Sequence, residues 1–194
     1  MQHHMTPYTQ GMEPWAWWGD AFTNDELNFL QEKAKAASLQ AGVGGTRDNL
    51  KFDVRRSQVD WLDNTTNTKW IFERLAHIGA NLNASYFRLQ LSGFGEPLQL
   101  TNYDQAENGM YGWHLDCGGN VSVSRKLSMA VQLSDPSEYE GGELQIFTGS
   151  QPQSIPKKRG LIAVFPSFTL HQVTPVTKGS RQSLVAWISG EPFK

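Results

Sequence analysis

The second half of the chain consists of short stretches in which apolar and polar residues alternate, and this pattern restricts the fold more than any other feature. Six such stretches follow one another from Phe87 onward, separated by Gly, Pro, Asp and Ser: FRLQL, LQLTNY, KLSMAVQLS, GELQIF, GLIAVFPS and SLVAWIS. Alternation of this kind is typical of strands buried on one face. No helix-length pattern lies between them, which argues against a parallel sheet of strand–helix–strand units. The pattern predicts an antiparallel sandwich, barrel or jelly roll.

The first half of the chain is predicted to supply two helices. The first begins at Thr23, because Thr23 and Glu26 have the spacing of a capping box. We expect this helix to run to the glycines of AGVGG at 41–45. The second covers 67–84, where large apolar residues recur at helical spacing. These helices are expected to cover one outer face of the β core.

A long connection lies between the two helices. Residues 42–56 are polar and rich in turn formers, and the stretch SQVDW that follows alternates like a strand. A connection of this length is either a mobile active-site lid, with Gly42, Gly44 and Gly45 as hinges, or an irregular surface segment. The sequence leaves both interpretations open.

Length and charge limit the class of protein. A chain of 194 residues suits one large domain, and 39% hydrophobic residues with seven Trp supply its core. We expect a single domain over 1–194, with 1–86 as mostly helical support and loop and 87–194 as the β core. The formal net charge of −2 shows no basic excess, which argues against a nucleic-acid partner.

Several features of the sequence predict a cytoplasmic location. No apolar run is long enough to span a membrane, and the first residues lack the pattern of a secretory signal. The single cysteine, Cys117, excludes an internal disulfide and fits a reducing compartment. We therefore expect a cytoplasmic protein without a membrane partner.

Three residues are candidates for a metal site. His114 and Asp116 are two apart, so in a strand they share a face and can share a proton, a water or a metal. His171 follows 55 residues later, after another β stretch, and a jelly roll can bring such strands together. Two imidazoles and one carboxylate form the ligand set of non-haem Fe(II) oxygenases. Strand alternation turns Cys117 away, and His77 lies in a predicted helix without an acidic or Cys partner at ligand spacing, which favours a structural role.

Several strands have one small or polar face. These are Ser128, Ala130 and Gln132 in one stretch and Gln99, Thr101 and Tyr103 in another. Such a face either lines a pocket inside a barrel or points to solvent. The opposite face of the first stretch, Leu127, Met129, Val131 and Leu133, is apolar.

Arg181 stands ten residues after His171, at the start of an apolar strand. A guanidinium is costly there unless it meets an anion or snorkels to water at the strand end. Its planar fork binds a carboxylate through two hydrogen bonds. Alternation places Arg181 on one face with Ser183, Val185 and Trp187.

The ordered pattern YGWHLD, YEGGELQIF and GLIAVFPSFTLHQVTPVTKGSRQSLVAW resembles the Fe(II)/2-oxoglutarate-dependent dioxygenases of the prolyl 4-hydroxylase-like group. PKHD-type hydroxylases and phage-encoded relatives are the most similar members. The resemblance is dense over 98–190 and weaker through RRSQVDWL and the N-terminal helices. It implies a mainly β fold with flanking helices and a double-stranded β-helix core, which is a jelly-roll or cupin-like arrangement.

The resemblance also implies roles for individual residues. His114, Asp116 and His171 would hold Fe(II), and Arg181 would bind the distal carboxylate of 2-oxoglutarate. Tyr103 would hydrogen-bond this cosubstrate. Further members of the site are Gln132, which stands where many prolyl hydroxylases have tyrosine, Trp187 near the metal and Tyr111 at the substrate entrance. Trp113 should face away from the metal and lie in the core.

The implied activity is hydroxylation of an unactivated C–H bond with 2-oxoglutarate and O2, releasing succinate and CO2, with ascorbate as a reductant. A prolyl residue in a polypeptide is the expected substrate. The alternatives are a free amino acid, another small molecule or a nucleobase, and, in a different class, a non-catalytic jelly-roll module that binds a metal or ligand.

Overall fold

A computed structural model describes residues 11–41, 54–118 and 122–191. It contains two α-helices, Asn24–Lys35 (α1) and Lys69–Leu82 (α2). The strands in these residues are Ala16–Trp18 (β1), Leu39–Ala41 (β2), Arg55–Leu62 (β3), Gly93–Phe94 (β4), Leu98–Asp104 (β5), Met110–His114 (β6), Arg125–Gln132 (β7), Tyr139–Gly141 (β8), Leu144–Phe147 (β9), Pro152–Ser154 (β10), Ile162–Pro166 (β11), His171–Val173 (β12) and Val176–Ser189 (β13). Within the described part of residues 1–86, three strands thus accompany the expected helices.

The strands form one antiparallel sheet that curls back on itself. Its order is β1-β11-β7-β13-β5-β3-β6-β12-β9-β10, and β2, β4 and β8 pair at its margins. The curl occurs at β3, whose Gln58–Leu62 part pairs with β5 while Arg55 and Arg56 pair with β6. The first six strands of this order make a major half, and the last four make a minor half facing it. This arrangement confirms the predicted jelly-roll core.

The helix α1 begins where the sequence predicts. The Thr23 hydroxyl accepts a hydrogen bond from the Glu26 backbone N–H at 3.3 Å, and the Thr23 N–H donates to the Glu26 carboxylate at 2.8 Å. The helix ends earlier than expected, at Lys35. The following segment gains backbone hydrogen bonds as β2, with Leu39 opposite Val59 of β3, and this pairing replaces continued helix.

Two apolar clusters flank the major half of the sheet. The larger one joins both helices to the outer sheet face and includes the predicted apolar face of β7, with Leu127, Met129, Val131 and Leu133 all at or below 1% exposure. The smaller one lies between the two halves and includes Ile146 and Phe165. The helices therefore cover one outer face, and the space between the halves is left for a site.

The expected strand FRLQL at 87–91 is wrong. A short π-helical turn covers Asn83–Phe87, and Arg88 adopts a left-handed backbone with φ of 57°. The Asn83 side chain accepts a hydrogen bond from the Leu89 N–H and donates to the Leu89 carbonyl, both at 2.9 Å. The backbone groups of Leu89 that a strand would use for pairing are thus bound by a side chain. In the described parts of the chain, no helix has the length and apolar character that crossing a membrane requires.

Candidate active site

Three polar side chains meet between the two halves of the sheet. His114 ends β6, Asp116 lies in the turn that follows, and His171 begins β12 directly opposite His114. This turn is fixed because the backbone N–H groups of Asp116 and Cys117 both donate to the Ser167 carbonyl, at 2.9 and 3.1 Å. The β pairing therefore brings together the residues that the sequence placed 55 positions apart.

The geometry of the three side chains suits a metal ion. The His114 and His171 Nε2 atoms lie 3.6 and 3.5 Å from the Asp116 carboxylate oxygens, and the three ligand atoms lie within 4.8 Å of one another. Each imidazole Nδ1 lies 2.8 Å from a backbone carbonyl, of Gly112 and Thr169 respectively. A carbonyl only accepts, so each Nδ1 carries the proton and each Nε2 presents a lone pair.

The electrostatics agree with this geometry. Burial raises the pKa of the Asp116 carboxyl, but interactions with His114 and His171 and a hydrogen bond from Ser128 outweigh it and bring the pKa well below its usual range. The Ser128 hydroxyl donates to the Asp116 Oδ2 at 2.6 Å. Burial lowers the pKa of His171, although Asp116 opposes this shift. A buried carboxylate and two imidazole Nε2 atoms converge on one point, and this donor set fits a divalent metal with open positions.

A cavity of about 140 Å³ adjoins these residues and contains most of the predicted site. Its walls include His114, Asp116 and His171 together with Tyr103, Tyr111, Arg181 and Trp187. The predicted face of β13 points into it, because Ser183 and Val185 line it as well. Arg181 is 4% exposed, and among the described residues no carboxylate forms an ion pair with it. A buried, uncompensated guanidinium in a cavity fits an anionic ligand.

Comparison with known proteins decides the family. Residues 98–189 match the model of the 2OG-Fe(II) oxygenase superfamily. A PKHD-type hydroxylase of Alteromonas mediterranea is 30% identical over 182 residues, which are 87% of this chain and 75% of that protein. The chain belongs to the 2OG-Fe(II) oxygenase superfamily, among its PKHD-type hydroxylases. It is a 2-oxoglutarate-dependent dioxygenase.

Other relatives give the same result with different coverage. A PKHD-type hydroxylase of Acidovorax ebreus is 36% identical over 84% of this chain and 72% of that protein. A third, from Prochlorococcus marinus, is 43% identical over 43% of this chain and 38% of its own length.

Two solved structures share the fold of this oxygenase. A prolyl-4-hydroxylase of Pseudomonas putida has a TM-score of 0.72 at 19% identity, covering 91% of this chain and 92% of that one. A prolyl hydroxylase of Trichoplax adhaerens, in complex with a hypoxia inducible factor peptide fragment, has a TM-score of 0.72 at 13% identity, covering 91% and 84%.

Gln132 lies outside the main cavity of the oxygenase. It borders a second, much smaller cavity that shares Ala130, Leu144 and Arg181 with the first. Its side-chain N–H groups donate to the Ser134 carbonyl at 3.1 Å and to the Tyr139 hydroxyl at 3.0 Å. Gln132 therefore borders Arg181 through the second cavity, and its contact with the cosubstrate stays a prediction.

Tyr111 lines the cavity of the oxygenase because β6 contains a bulge. Val173 lies opposite Tyr111 and His171 opposite His114, so β6 has one residue more than β12 between these pairs. Residues three apart therefore face the same side, and the Tyr111 ring stacks on His114 with centroids 3.4 Å apart. Trp113 faces away from the site as expected, but the prediction that it lies in the core is wrong. It is 39% exposed and meets Phe147 edge to face at the surface.

A pair of charged residues in the oxygenase cavity was not anticipated. Arg125 lines the cavity, and its guanidinium makes two hydrogen bonds to the Glu96 carboxylate, at 2.6 and 2.5 Å. It also lies 3.8 Å from the centre of a Trp187 ring. Arg125 directly precedes the alternating stretch KLSMAVQLS, much as Arg181 lies just before SLVAWIS, and this position is the signal that could have identified it. Nothing in the sequence around Glu96 indicates the pairing.

Two further expectations concern regions away from these contacts. His77 lies on the exposed side of α2, where Asn81 Nδ2 donates to its carbonyl at 2.7 Å, and it is separate from the site. The candidate hinges Gly42, Gly44 and Gly45 fall outside the described residues. The lid interpretation stays a prediction.

Proposed function

We propose that this oxygenase hydroxylates an unactivated C–H bond of a prolyl residue in a polypeptide, using Fe(II), 2-oxoglutarate and O2. The observation that carries the proposal is one cavity holding the His114, Asp116 and His171 group beside the buried cation of Arg181. The prolyl hydroxylases that share its fold, one of them in complex with a peptide, support a peptide substrate.

In this proposal His114, Asp116 and His171 hold Fe(II). The Gly112 and Thr169 carbonyls keep the two Nδ1 atoms protonated, so both Nε2 lone pairs stay available to the metal. Ser128 orients the carboxylate through its 2.6 Å hydrogen bond. Three protein ligands on one side leave positions for the cosubstrate and O2.

Arg181 binds the distal carboxylate of 2-oxoglutarate. A fork of N–H donors matches the planar carboxylate, and burial excludes the water that would compete for it. Tyr103 lies opposite Arg181 across the β5–β13 pair, with its ring 5.7 Å from the guanidinium. Its hydroxyl is the proposed second contact to the cosubstrate.

The bound metal and cosubstrate supply the oxidising chemistry, with O2 consumed and succinate and CO2 released. The chain contributes the walls of the site. Tyr111, stacked on His114, and Trp187, covered by Arg125, restrict water and position the target C–H bond. Ascorbate is the proposed reductant that keeps the iron in its Fe(II) state.

The substrate side of the cavity fits an extended chain. Proline has no backbone N–H, so it is recognised by shape and through neighbouring carbonyls. The guanidinium of Arg125 is fixed by Glu96 and can offer donors to such a carbonyl.

The experiment is to incubate the protein with Fe(II), 2-oxoglutarate and ascorbate, and with either proline-rich peptides or free L-proline. Succinate and hydroxyproline are measured together. Coupled formation of both with peptides supports the proposal. Hydroxylation of free proline with every peptide inert would replace it with the small-molecule activity.

The matched control is the His171→Ala variant, which should stay folded and form neither product. Full succinate formation by this variant would contradict the ligand assignment. If neither the peptides nor free L-proline are hydroxylated, mass spectrometry of a treated host lysate, searching for products heavier by one oxygen atom, would identify the substrate.

A further inference from the structure

A second, small cavity borders Arg181. It has a volume of about 10 Å³, which is room for about one water molecule. Gln132, Tyr139 and Lys157 border it together with Arg181. A ligand as large as a carboxylic acid does not fit there, and the cavity shares Ala130, Leu144 and Arg181 with the main one.

The Tyr139 side chain is held in place from two sides. Gln132 Nε2 donates to its hydroxyl oxygen at 3.0 Å, and both residues are buried, at 6% and 4% exposure. Lys157 Nζ lies 4.8 Å from the centre of the ring and donates to the Gly141 carbonyl at 2.7 Å. Gln132 also donates a hydrogen bond to the Ser134 carbonyl, and this bond fixes the orientation of the side-chain amide that contacts Tyr139.

Tyr139 and Arg181 both pack against Gly142. A Cβ atom at Gly142 would lie 3.1 Å from Arg181 Cδ and 3.2 Å from Tyr139 Cε2, and its φ of +57° is one that glycine adopts without strain. Burial raises the pKa of the Tyr139 hydroxyl, while the charge of Arg181 and a hydrogen bond from it act in the opposite direction. The Tyr139 hydroxyl therefore receives a donor from Gln132, and its side chain borders the same small cavity as Arg181.

We propose that Tyr139, oriented by Gln132, is a positioning residue that sets the direction of the Arg181 guanidinium toward the distal carboxylate of 2-oxoglutarate. This inference rests on the proposed role of Arg181. A phenolic oxygen has two lone pairs. One accepts from Gln132, and the other restrains a guanidinium that otherwise has no ion-pair partner among the described residues.

Gln132 acts in this scheme without touching the cosubstrate. The family resemblance placed it with the cosubstrate residues, but its amide donates to the Ser134 carbonyl and the Tyr139 hydroxyl. Its effect on 2-oxoglutarate passes through Tyr139 and then Arg181.

The test measures ligand binding on the full chain loaded with Mn(II), by calorimetry. The ligands are 2-oxoglutarate and 2-oxopentanoate, in which a methyl group replaces the distal carboxylate. Tyr139→Phe removes the hydroxyl and keeps the ring, so it should raise the Kd for 2-oxoglutarate about 3- to 10-fold. The Kd for 2-oxopentanoate and for Mn(II) should not change, because neither engages Arg181.

A double-mutant cycle separates positioning from packing. Gln132→Met should weaken 2-oxoglutarate binding less than Tyr139→Phe, and the double variant should bind no more weakly than Tyr139→Phe alone. Tyr86→Phe, which removes a hydroxyl from a side chain that is 44% exposed, is the matched control and should leave every Kd unchanged.

An unchanged Kd for 2-oxoglutarate in Tyr139→Phe would overturn the inference, as would an equal loss of affinity for both ligands, which indicates general damage. Additive effects of Gln132→Met and Tyr139→Phe would refute the relay through Tyr139. If the unmodified protein fails to bind 2-oxoglutarate in preference to 2-oxopentanoate, the proposed role of Arg181 fails first.

Discussion

Replacing Ser128 by alanine tests how the metal ligands are oriented. Ser128 lies on β7, at 1% exposure, and its hydroxyl donates to the Asp116 Oδ2 at 2.6 Å. The two Asp116 oxygens face His114 and His171 at 3.6 and 3.5 Å, so a small rotation of the carboxylate changes the position of both. Ser128→Ala removes one oxygen atom and nothing else from this arrangement.

The expected loss follows from the hydrogen bond. A hydroxyl-to-carboxylate bond of this length is charge-assisted. Removing a partner that orients a metal ligand costs about 10- to 100-fold in metal affinity, which is roughly 1.4–2.7 kcal/mol. Ser167 should matter less, because its hydroxyl meets Ser128 at 3.1 Å and has no direct contact with the carboxylate.

The assay is calorimetric titration of Ser128→Ala with Mn(II), which resists oxidation, alongside circular dichroism to confirm the fold. The matched control is Ser134→Ala, another fully buried serine, whose hydroxyl donates to Gln182 at 2.6 Å away from the ligands. This control should lose stability and keep its Mn(II) affinity. Equal Mn(II) affinity in Ser128→Ala and the unmodified protein would refute the argument that Ser128 orients Asp116.

The remaining predictions concern the cosubstrate anchor and the helical layer. Arg181→Ala should weaken 2-oxoglutarate binding by roughly 1.5–3 kcal/mol, and Arg181→Lys should restore only part of it, because an ammonium group lacks the planar pair of donors. Calorimetry on the Mn(II)-loaded protein measures both affinities, and an unchanged affinity in Arg181→Ala would show that another residue binds the distal carboxylate. Thr23→Ala removes the cap of α1 and should lower the free energy of unfolding by about 1 kcal/mol; urea denaturation measures this, and an unchanged free energy would contradict the capping role. Leu30→Ala, at a side chain with 0% exposure, should cost about 2–5 kcal/mol, and a cost under 1 kcal/mol would show that the helical layer packs loosely.

Local patterns predicted much of this molecule. The start of α1 depends on two residues three apart, and the faces of β7 and β13 follow from simple alternation, so short stretches contain the information. The positions of His114, Asp116 and His171 could be proposed because strand parity and the family pattern agree. The pairing of β6 with β12, which brings these residues together, could not be predicted from the local sequence.

The errors have long-range or side-chain causes. FRLQL has the composition of a strand, but the Asn83 side chain binds both backbone groups of Leu89. Strand-propensity scales do not include hydrogen bonds from a side chain that compete with strand pairing. Trp113 is a large aromatic that alternation alone would bury, yet it lies on the outer face of the minor half at 39% exposure. Contacts between distant residues, such as Arg125 with Glu96, leave no periodic signal in the sequence.

The strand β13 carries both Arg181 and Trp187, and its neighbours on both sides connect it firmly to the sheet. Ser183, Leu184 and Val185 pair with β5 on one side and with β7 on the other. This wall of the cavity cannot open without breaking the central ladders, so loss of the site and global unfolding should occur as one event. A ligand bound at Arg181 then stabilises the folded state by RT ln(1 + L/Kd), where L is the free ligand concentration, and raises the melting temperature accordingly. Simple thermal-shift screening should therefore rank cosubstrate analogues and inhibitors by their affinity.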